Sequence, residues 1–353
     1  MKDDAFLQII KKVEGYDDKF KVGKGYINTG CYVLNALVSG SIFGGIASNR
    51  ITGFAGDPAT GKSYLTYGLI KSFLDDNPEG RVVLFDSEIA IDLDDLRDRD
   101  IDVERLIMLY PTSLQEFRTQ STQIISGYAK MKPADRPKLL FALDSLSNMP
   151  SKKEMVDAEE AKDVADMTRA KTIRSIFRIL SPLLGKYSIP MVVTNHTYDN
   201  IMSMYGGKEI AGGGGMKFAA STIIQLSKAQ DKDADNSLKG LILTASLYKS
   251  RFTKTGKKAK MNLDFTKGLS RYFGLLEIAE KYGIFPKVGN KFETPEGKFF
   301  GSVIYKQPAR FFTDDILLKI DEACKKEYLF GSQDDEVEDD FIEELDDDQS
   351  DDE

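Results

Sequence analysis

The sequence predicts an α/β protein with a mostly parallel central sheet and a phosphate-binding loop. A short N-terminal helix with its linker and a small C-terminal α+β module complete it. Three observations predict this. Apolar stretches of strand length alternate with helical patterns from about residue 30 to 270. Several of those stretches are apolar throughout, as strands covered on both faces must be. One of them, RITGFA, runs straight into GDPATGKS (residues 56–63) and then into an amphipathic segment, which is the strand–loop–helix setting that a phosphate loop requires.

Taken in order, residues 5–14 (AFLQIIKKVE) put Phe6, Ile9, Ile10 and Val13 on one helical face, and a polar, Gly-rich linker follows. Residues 1–29 therefore read as a helix and tether, docking either on its own domain or on a neighbouring copy. Residues 30–270 form the core. Its strands are expected at 50–55, 82–86, 106–110, 139–144, 190–195, 220–226 and 241–248, with helices between many of them, among them 64–75 and 165–184. Residues 271–330 form the small module, with GLLEIAEKYG as a helix, KFETPEGKFF as a hairpin and TDDILLKIDEACKKEY as a second helix. Residues 331–353 are an acidic tail expected to be disordered. No internal repeat is evident.

Composition narrows the class. No apolar run approaches the 18 residues of a membrane span, and the acidic start MKDDAFLQII does not read as a secretory signal. Cys31 and Cys324 lie far apart, which suits a reducing cytoplasm. No Cys/His cluster has zinc spacing. From Asp334 to Glu353, 14 of 20 residues are acidic, and removing them from a net charge of −8 leaves +6 on residues 1–333. The tail is either a solubilising segment or a polyanion that competes with nucleic acid for a basic surface.

The site residues follow from the phosphate loop. Backbone N–H groups of Gly56, Asp57, Pro58, Ala59, Thr60, Gly61, Lys62 and Ser63 (Pro58 lacking its own) and the helix N-terminus form an anion cradle. Lys62 is expected to reach the β- and γ-phosphates, and the Ser63 hydroxyl to ligate Mg²⁺. The strand KLLFALDSLS delivers Asp144 to the same edge, where a carboxylate can hold Mg²⁺ through water. RVVLFDSEIA ends in Asp86 and Glu88, and Glu88 is the candidate to orient an attacking water. In MVVTNHTYDN the chain's single histidine, His196, emerges at that edge, where it can touch the γ-phosphate.

Two long segments follow these strands, at 148–167 and 197–217. Loops of that length are commonly functional. Gly212 to Gly215 allow close approach to another chain, Lys208 and Lys217 can neutralise phosphates, and Met202 and Met204 can wedge against bases. TRAKTIRSIFRILSPLL is an amphipathic helix with Ile173, Ile176, Phe177 and Leu180 inward and Lys171, Arg174 and Arg178 outward. In LYKSRFTKTGKKAK, Lys249 and Arg251 share one face of a strand end. Such a pair can bridge the triphosphate of a neighbouring subunit, as an arginine finger does.

Together these residues resemble the RecA family of ATP-dependent strand-exchange recombinases, most of all its T4-type phage branch, over about residues 25–330. GDPATGKS resembles the family's phosphate loop, LFDSEIA the strand of its catalytic glutamate, LDSLSNM the Mg²⁺-aspartate strand, and GGGGMKFAAS the end of its second DNA loop. DMTRAKTIRSIFRI and TNHTY are similar to the phage branch. The resemblance implies a RecA-type core, Glu88, Lys62 and His196 as catalytic residues, and His196 standing where bacterial members carry a γ-phosphate-sensing Gln. It implies Lys249 and Arg251 as contacts to ATP across a filament interface. It implies DNA contacts from Arg169, Thr172, Met202, Lys208, Gly212, Gly213 and Lys217, and a base contact from Asp92. One position departs: many bacterial members set a Tyr against the adenine where this chain has Asp95.

The expected activity is a DNA-dependent ATPase using ATP and Mg²⁺. It forms a helical homo-oligomeric filament on single-stranded DNA and exchanges strands with duplex DNA in recombination, repair and replication. Mediator and single-strand-binding proteins are its expected partners, and the cytoplasm its compartment, that of the host if the chain is phage-encoded. A hexameric helicase ring with the same core and a small-molecule kinase with the same phosphate loop are the alternatives. Stimulation by DNA separates the kinase, and filament against ring separates the helicase.

Overall fold

The computed structural model describes residues 8–9, 11–13, 25–162, 168–199, 208–211, 214–232 and 237–331. Its strands are β1 (Tyr26–Ile27), β2 (Ile46–Ala47), β3 (Ile51–Gly56), β4 (Arg81–Asp86), β5 (Leu106–Leu109), β6 (Leu139–Asp144), β7 (Met191–Asp199), β8 (Lys208–Ile210), β9 (Thr222–Lys232), β10 (Leu238–Ser250), β11 (Lys258–Asp264), β12 (Gly268–Leu269), β13 (Lys287–Val288), β14 (Lys291–Thr294) and β15 (Gly297–Phe299). The main sheet has the order β12-β11-β10-β9-β3-β7-β6-β4-β5, with β8 paired to β7. From β9 to β5 the neighbours are parallel. The strands β10 to β12 and the β7–β8 pair are antiparallel.

The apolar runs are buried on two faces, as their composition requires. Val82, Leu84, Leu140 and Ala142 enter one core, while Val83, Phe85, Leu139, Phe141 and Leu143 enter the other. The first core is covered by the helix Lys62–Asp76 through Leu69, Ile70 and Phe73, and the second by the helices Leu114–Lys130 and Arg169–Lys186. Phe85 sits edge-on to Phe117 and Phe141, with centroids 5.0 and 5.5 Å apart. Ile173, Ile176, Phe177 and Leu180 form the inward face expected of their helix.

The C-terminal residues form the helix Leu275–Lys281, the small sheet β13-β14-β15 and the helices Gly301–Lys306, Pro308–Phe311 and Asp314–Tyr328. They pack into the first core, where Ile320, Cys324 and Tyr328 join Leu34 and Leu37. Asp321 accepts from the Ser41 hydroxyl and the Ile42 amide at 2.6 and 2.9 Å. Among the described residues, no helix is long and apolar enough to cross a membrane.

Three segments differ from the sequence reading. Residues 258–264 form strand β11 with alternating burial, its lysines outward and Ala259, Met261 and Leu263 inward, a strand beyond those expected at 50–248. The segment 148–167 carries a helix, Lys152–Glu159, capped reciprocally by Ser151 and Glu154, a pairing visible as S-x-x-E. The segment 197–217 is partly regular: β7 runs on to Asp199, β8 pairs back on it, and a helix spans Gly214–Ala219. Of its glycines, Gly215 serves close approach within the chain, since a Cβ there would lie 2.8 Å from the Arg174 backbone nitrogen. Gly212, Gly213, Met202 and Met204 lie outside the described residues, as do Phe6, Ile10 and the acidic tail beyond Gly331.

Glu327 gives this fold a pH test. Burial works to raise its pKa, but hydrogen bonds from Lys281, Lys257 and Tyr282 outweigh that and hold the carboxyl at about 2. With its pKa depressed on folding, Glu327 contributes stability fully above about pH 5 and loses it as pH falls toward 2. Glu327→Gln is expected to lower Tm near neutral pH, with the deficit shrinking toward pH 2. A Tm difference that does not change with pH would remove Glu327 from the acid response.

Candidate nucleotide and nucleic-acid site

Parallel register gathers the site. Gly56 of β3 lies level with His196 of β7, and Asp144 of β6 lies level with Asp86 of β4. All four strands point the same way, so their carboxyl ends share one edge, the edge where open α/β sheets bind ligands.

The phosphate loop is shaped by its own backbone. Ala59 and Gly61 are left-handed (φ 58° and 82°), and Gly61 caps the helix Lys62–Asp76. A Cβ on Gly56 would lie 2.7 Å from the Leu226 carbonyl oxygen, so only glycine fits there. The Thr60 hydroxyl donates to the Asp57 carbonyl at 2.8 Å and closes the turn. Lys62 Nζ donates to the carbonyls of Gly56 and Asp57 at 3.0 and 2.8 Å. Burial lowers the Lys62 pKa, against the opposing pull of Asp144, Glu88 and Asp57. An ammonium held on loop carbonyls makes stronger, charge-assisted bonds to phosphate oxygens. Ser63 sits half-buried in the first turn beside it.

The acids divide into two kinds. Asp144 is buried and accepts hydrogen bonds from the Thr194 hydroxyl and, at 3.3 Å, from Tyr67 OH. Asp86 is 2% exposed, and Oδ1 accepts from the amides of Glu88 and Ile89 at 3.0 and 2.9 Å, while Oδ2 has no partner among the described residues. Burial raises its pKa, and nearby Asp144 adds to that. Asp86 is thus no solvated strand end; it braces the turn that carries Glu88, in which Ile89 is left-handed at φ 50°. Glu88 itself stays accessible. Its Oε1 accepts from Ser145 Oγ at 2.7 Å and lies 3.5 Å from His196 Nε2, while His196 Nδ1 lies 3.5 Å from Lys62 Nζ. His196 therefore stands between the phosphate-loop lysine and Glu88.

The donor set fits a nucleotide with its cation. Among the described residues, no group of three or more His, Cys, Asp or Glu gathers to hold a metal on its own. A Mg²⁺ at this edge must then take most of its ligands from phosphate and water, as Mg²⁺ beside nucleotides does. The buried carboxylate of Asp144, the Ser63 hydroxyl and the orphaned Oδ2 of Asp86 are oxygen acceptors suited to it or its waters.

Around this edge lie the other expected residues. Asp57 accepts from the Thr197 hydroxyl at 2.7 Å and pairs with Lys208, and these two bonds lower its pKa. Arg169 donates to the carbonyls of Ser147 and Met149 at 2.9 and 3.2 Å, tying down the start of the 148–167 segment. Thr172 is half-buried one turn into the same helix. Lys217 lies over the Tyr248 ring at 5.6 Å. Lys249 and Arg251 differ: Lys249 donates to the carbonyls of Lys217 and Phe218, whereas Arg251 is exposed. Asp92 caps the short helix Leu93–Arg97, with Asp95 as its reciprocal partner. Asp95 therefore has a local structural task of its own. Sequence reasoning missed Tyr67, Ser145 and Thr194, and the bracing role of Asp86. The contacts of Tyr67, Ser145 and Thr194 join residues 50 or more apart, which no local pattern displays, whereas Asp86 bonds amides two and three residues on and only its burial marks it as a brace.

Residues 9–270 match the RecA N-terminal domain family. The "Recombination and repair protein" of Enterobacteria phage T4 is 32% identical over 272 residues, covering 77% of this chain and 68% of that protein. "Protein RecA" of Mesomycoplasma hyopneumoniae strain J is 24% identical over 79% of this chain and 82% of its own length. "Protein RecA" of Campylobacter hominis is 26% identical over 88% and 86%.

The brace at Asp86 is testable without turnover. Asp86→Ala is expected to speed amide exchange at Glu88 and Ile89 by about tenfold or more, since each loses a bond to a charged acceptor. Asp86→Asn keeps the Oδ1 acceptor and is expected to retain most of the protection. Equal exchange in all three proteins would show that the turn holds itself.

Proposed function

The chain belongs to the RecA family, and from that premise we propose that it is an ATP-dependent recombinase. It polymerises as a helical filament on single-stranded DNA, hydrolyses ATP there and exchanges strands with duplex DNA. The observation that carries this reading is His196, lying between Lys62 and Glu88 on one strand and leading directly into the β7–β8 hairpin with Lys208. One residue so touches both the nucleotide edge and the segment assigned to DNA.

The mechanism follows from the contacts. Residues 56–63 receive the phosphates on backbone N–H groups, and Lys62 passes its ammonium from the Gly56 and Asp57 carbonyls to the β- and γ-phosphate oxygens. Ser63 and Asp144 would hold a Mg²⁺ ion, which would supply positive charge to neutralise the triphosphate. Glu88, oriented by Ser145, turns the attacking water toward the γ-phosphate and takes its proton. His196 distinguishes a γ-phosphate from its absence and passes the difference to the segment 197–217. Asp92 is assigned to the base, and Lys249 with Arg251 to the nucleotide of the adjacent protomer, with Arg251 the more accessible. Arg169, Thr172, Met202, Lys208, Gly212, Gly213 and Lys217 are assigned to DNA, bound through its backbone in a sequence-tolerant, salt-sensitive manner. Residues 30–270 are the working core, 1–29 the polymerisation helix and linker, 271–330 the small module and 331–353 the acidic tail. The compartment is cytoplasmic, and mediator and single-strand-binding proteins are the expected partners.

Steady-state ATP hydrolysis with and without single-stranded DNA tests the proposal, with duplex DNA as control. Many-fold stimulation by single strands is expected; turnover indifferent to DNA overturns the reading. Lys62→Ala is expected to lower turnover by about 100-fold or more, the scale of losing a donor that meets developing charge. His196→Ala is expected to bind nucleotide much as before while DNA affinity loses its dependence on ATP. Unchanged ATP dependence in that variant would rule out the sensor role.

A further inference from the structure

A second lysine stands on the phosphate loop, and the site described above gives it no task. Strand β9 runs parallel to β3, with Leu226 level with Gly56, and continues past the end of β3 as far as Lys232. Alternate residues of a strand share a face, so Lys228 follows Ile224 and Leu226, which both enter the first core. That apolar face thus ends in a lysine where the strand passes the phosphate loop. Two close contacts seat the strand there. A Cβ on Gly56 would lie 2.7 Å from the Leu226 carbonyl oxygen, and one on Gly61 would lie 3.1 Å from Leu243, the cross-strand neighbour of Lys228 on β10. From this position Lys228 Nζ donates to the Pro58 carbonyl at 3.3 Å.

The charge of Lys228 is not matched by the protein. Among the described residues no carboxylate pairs with it, and the Pro58 carbonyl is a neutral acceptor at the long end of the hydrogen-bond range. The loop's own acid, Asp57, is engaged by Thr197 and Lys208. Lys62 holds the carbonyls of Gly56 and Asp57, so two ammonium groups rest on three consecutive carbonyls of one loop. They repel each other: burial does most to lower the Lys62 pKa, and the charge of Lys228 lowers it further. An anion reaching both removes that repulsion and gives each a stronger, charge-assisted bond. Residues 56–58 form the end of the loop beside His196, which is level with Gly56 and lies 3.5 Å from Glu88. On the reading above, that end receives the γ-phosphate, while the β-phosphate lies toward the helix start at Lys62.

We propose that Lys228 is a second phosphate-binding cation of this site: it leaves the Pro58 carbonyl for a γ-phosphate oxygen and so lets the loop tell a nucleoside triphosphate from a diphosphate. The proposal rests on the reading that residues 56–63 bind ATP. Lys62 then serves the β- and γ-phosphates from within the loop. Lys228 serves the γ-phosphate from the overhanging strand, on the side of β3 opposite β7 and His196. It belongs to the same chain as the loop, so this contact needs no neighbouring protomer, unlike those assigned to Lys249 and Arg251. The strand is already seated by Leu226 and Leu243, so only the Lys228 side chain has to be ordered.

The test is direct nucleotide binding by the full chain, with Mg²⁺ and without DNA. It is read from the fluorescence of N-methylanthraniloyl-labelled ADP and of a labelled, slowly hydrolysed ATP analogue. Lys228→Met keeps most of the unbranched stem and removes the ammonium. It is expected to lower the ratio of triphosphate to diphosphate affinity by about five- to tenfold, the lower end for a hydrogen bond between charged groups because the site is exposed. Lys228→Arg keeps the charge and is expected to keep most of the ratio. The proposal is overturned if Lys228→Met leaves the ratio within about twofold of wild type, whether both affinities hold or both fall together. A Lys228→Met protein that loses affinity only for a fluorescent oligo-dT strand places Lys228 on nucleic-acid phosphates and overturns it as well. A wild-type protein that binds neither nucleotide overturns the ATP reading of the loop, and the proposal with it. Wild-type nucleotide binding with an unchanged ratio in Lys228→Met overturns the proposal alone.

Discussion

The parallel register of β3, β7, β6 and β4 is the constraint on which the rest depends. It is set by apolar runs that must be covered on both faces, so a slip by one residue would exchange the two cores. With the register set, Gly56, His196, Asp144 and Asp86 reach the same edge without any contact among them being required first. Sheet packing remote from the chemistry therefore sets the site geometry to within a hydrogen bond's length.

That edge concentrates charge in a poorly solvated place. Asp86, Asp144 and Lys62 are all buried, and a buried charge left alone costs several kcal/mol. The structure meets this unevenly. Asp144 is satisfied by Thr194 and Tyr67, Lys62 by loop carbonyls, and Asp86 on one oxygen only. The partial satisfaction is what one expects of a site whose remaining partners arrive with a ligand. Lys62 illustrates it, since its present partners are neutral carbonyls and a phosphate makes a stronger one.

The same edge is tied to the β7–β8 hairpin. Two links cross from the phosphate loop to the β7–β8 hairpin. One is His196, positioned by backbone register between Lys62 and Glu88. The other is Asp57, which reaches the hairpin through its side chain. The His196 carbonyl accepts the Ala211 amide, and Asp57 pairs with Lys208. On the far side of the hairpin segment, Lys249 holds the C-terminal carbonyls of the helix Gly214–Ala219, where a cation also suits the helix dipole. The segment is thereby anchored at both ends to groups that belong to the nucleotide edge or to its expected neighbour.

Much of this was legible in the chain itself. Local and periodic signals determined the strand–loop–helix of residues 51–76, the buried strands, the inward face of the helix Arg169–Lys186 and the edge position of Glu88, Asp144 and His196. Such signals work because burial on one face or two leaves a period in the residues. What only the tertiary structure decided is how each residue is used, through burial, local caps and contacts between distant elements. It showed Asp86 as a brace rather than a solvated acid, Asp95 as a capping partner, Gly215 as a contact between two helices, and the lysine-rich residues 258–264 as a strand. It also turned Asp57 from a phosphate-loop residue into a tie to Lys208, 151 positions away. A sequence states which residues carry charge and which are apolar. Which charge meets which depends on the strand order, and that order is chosen by the packing of the whole sheet.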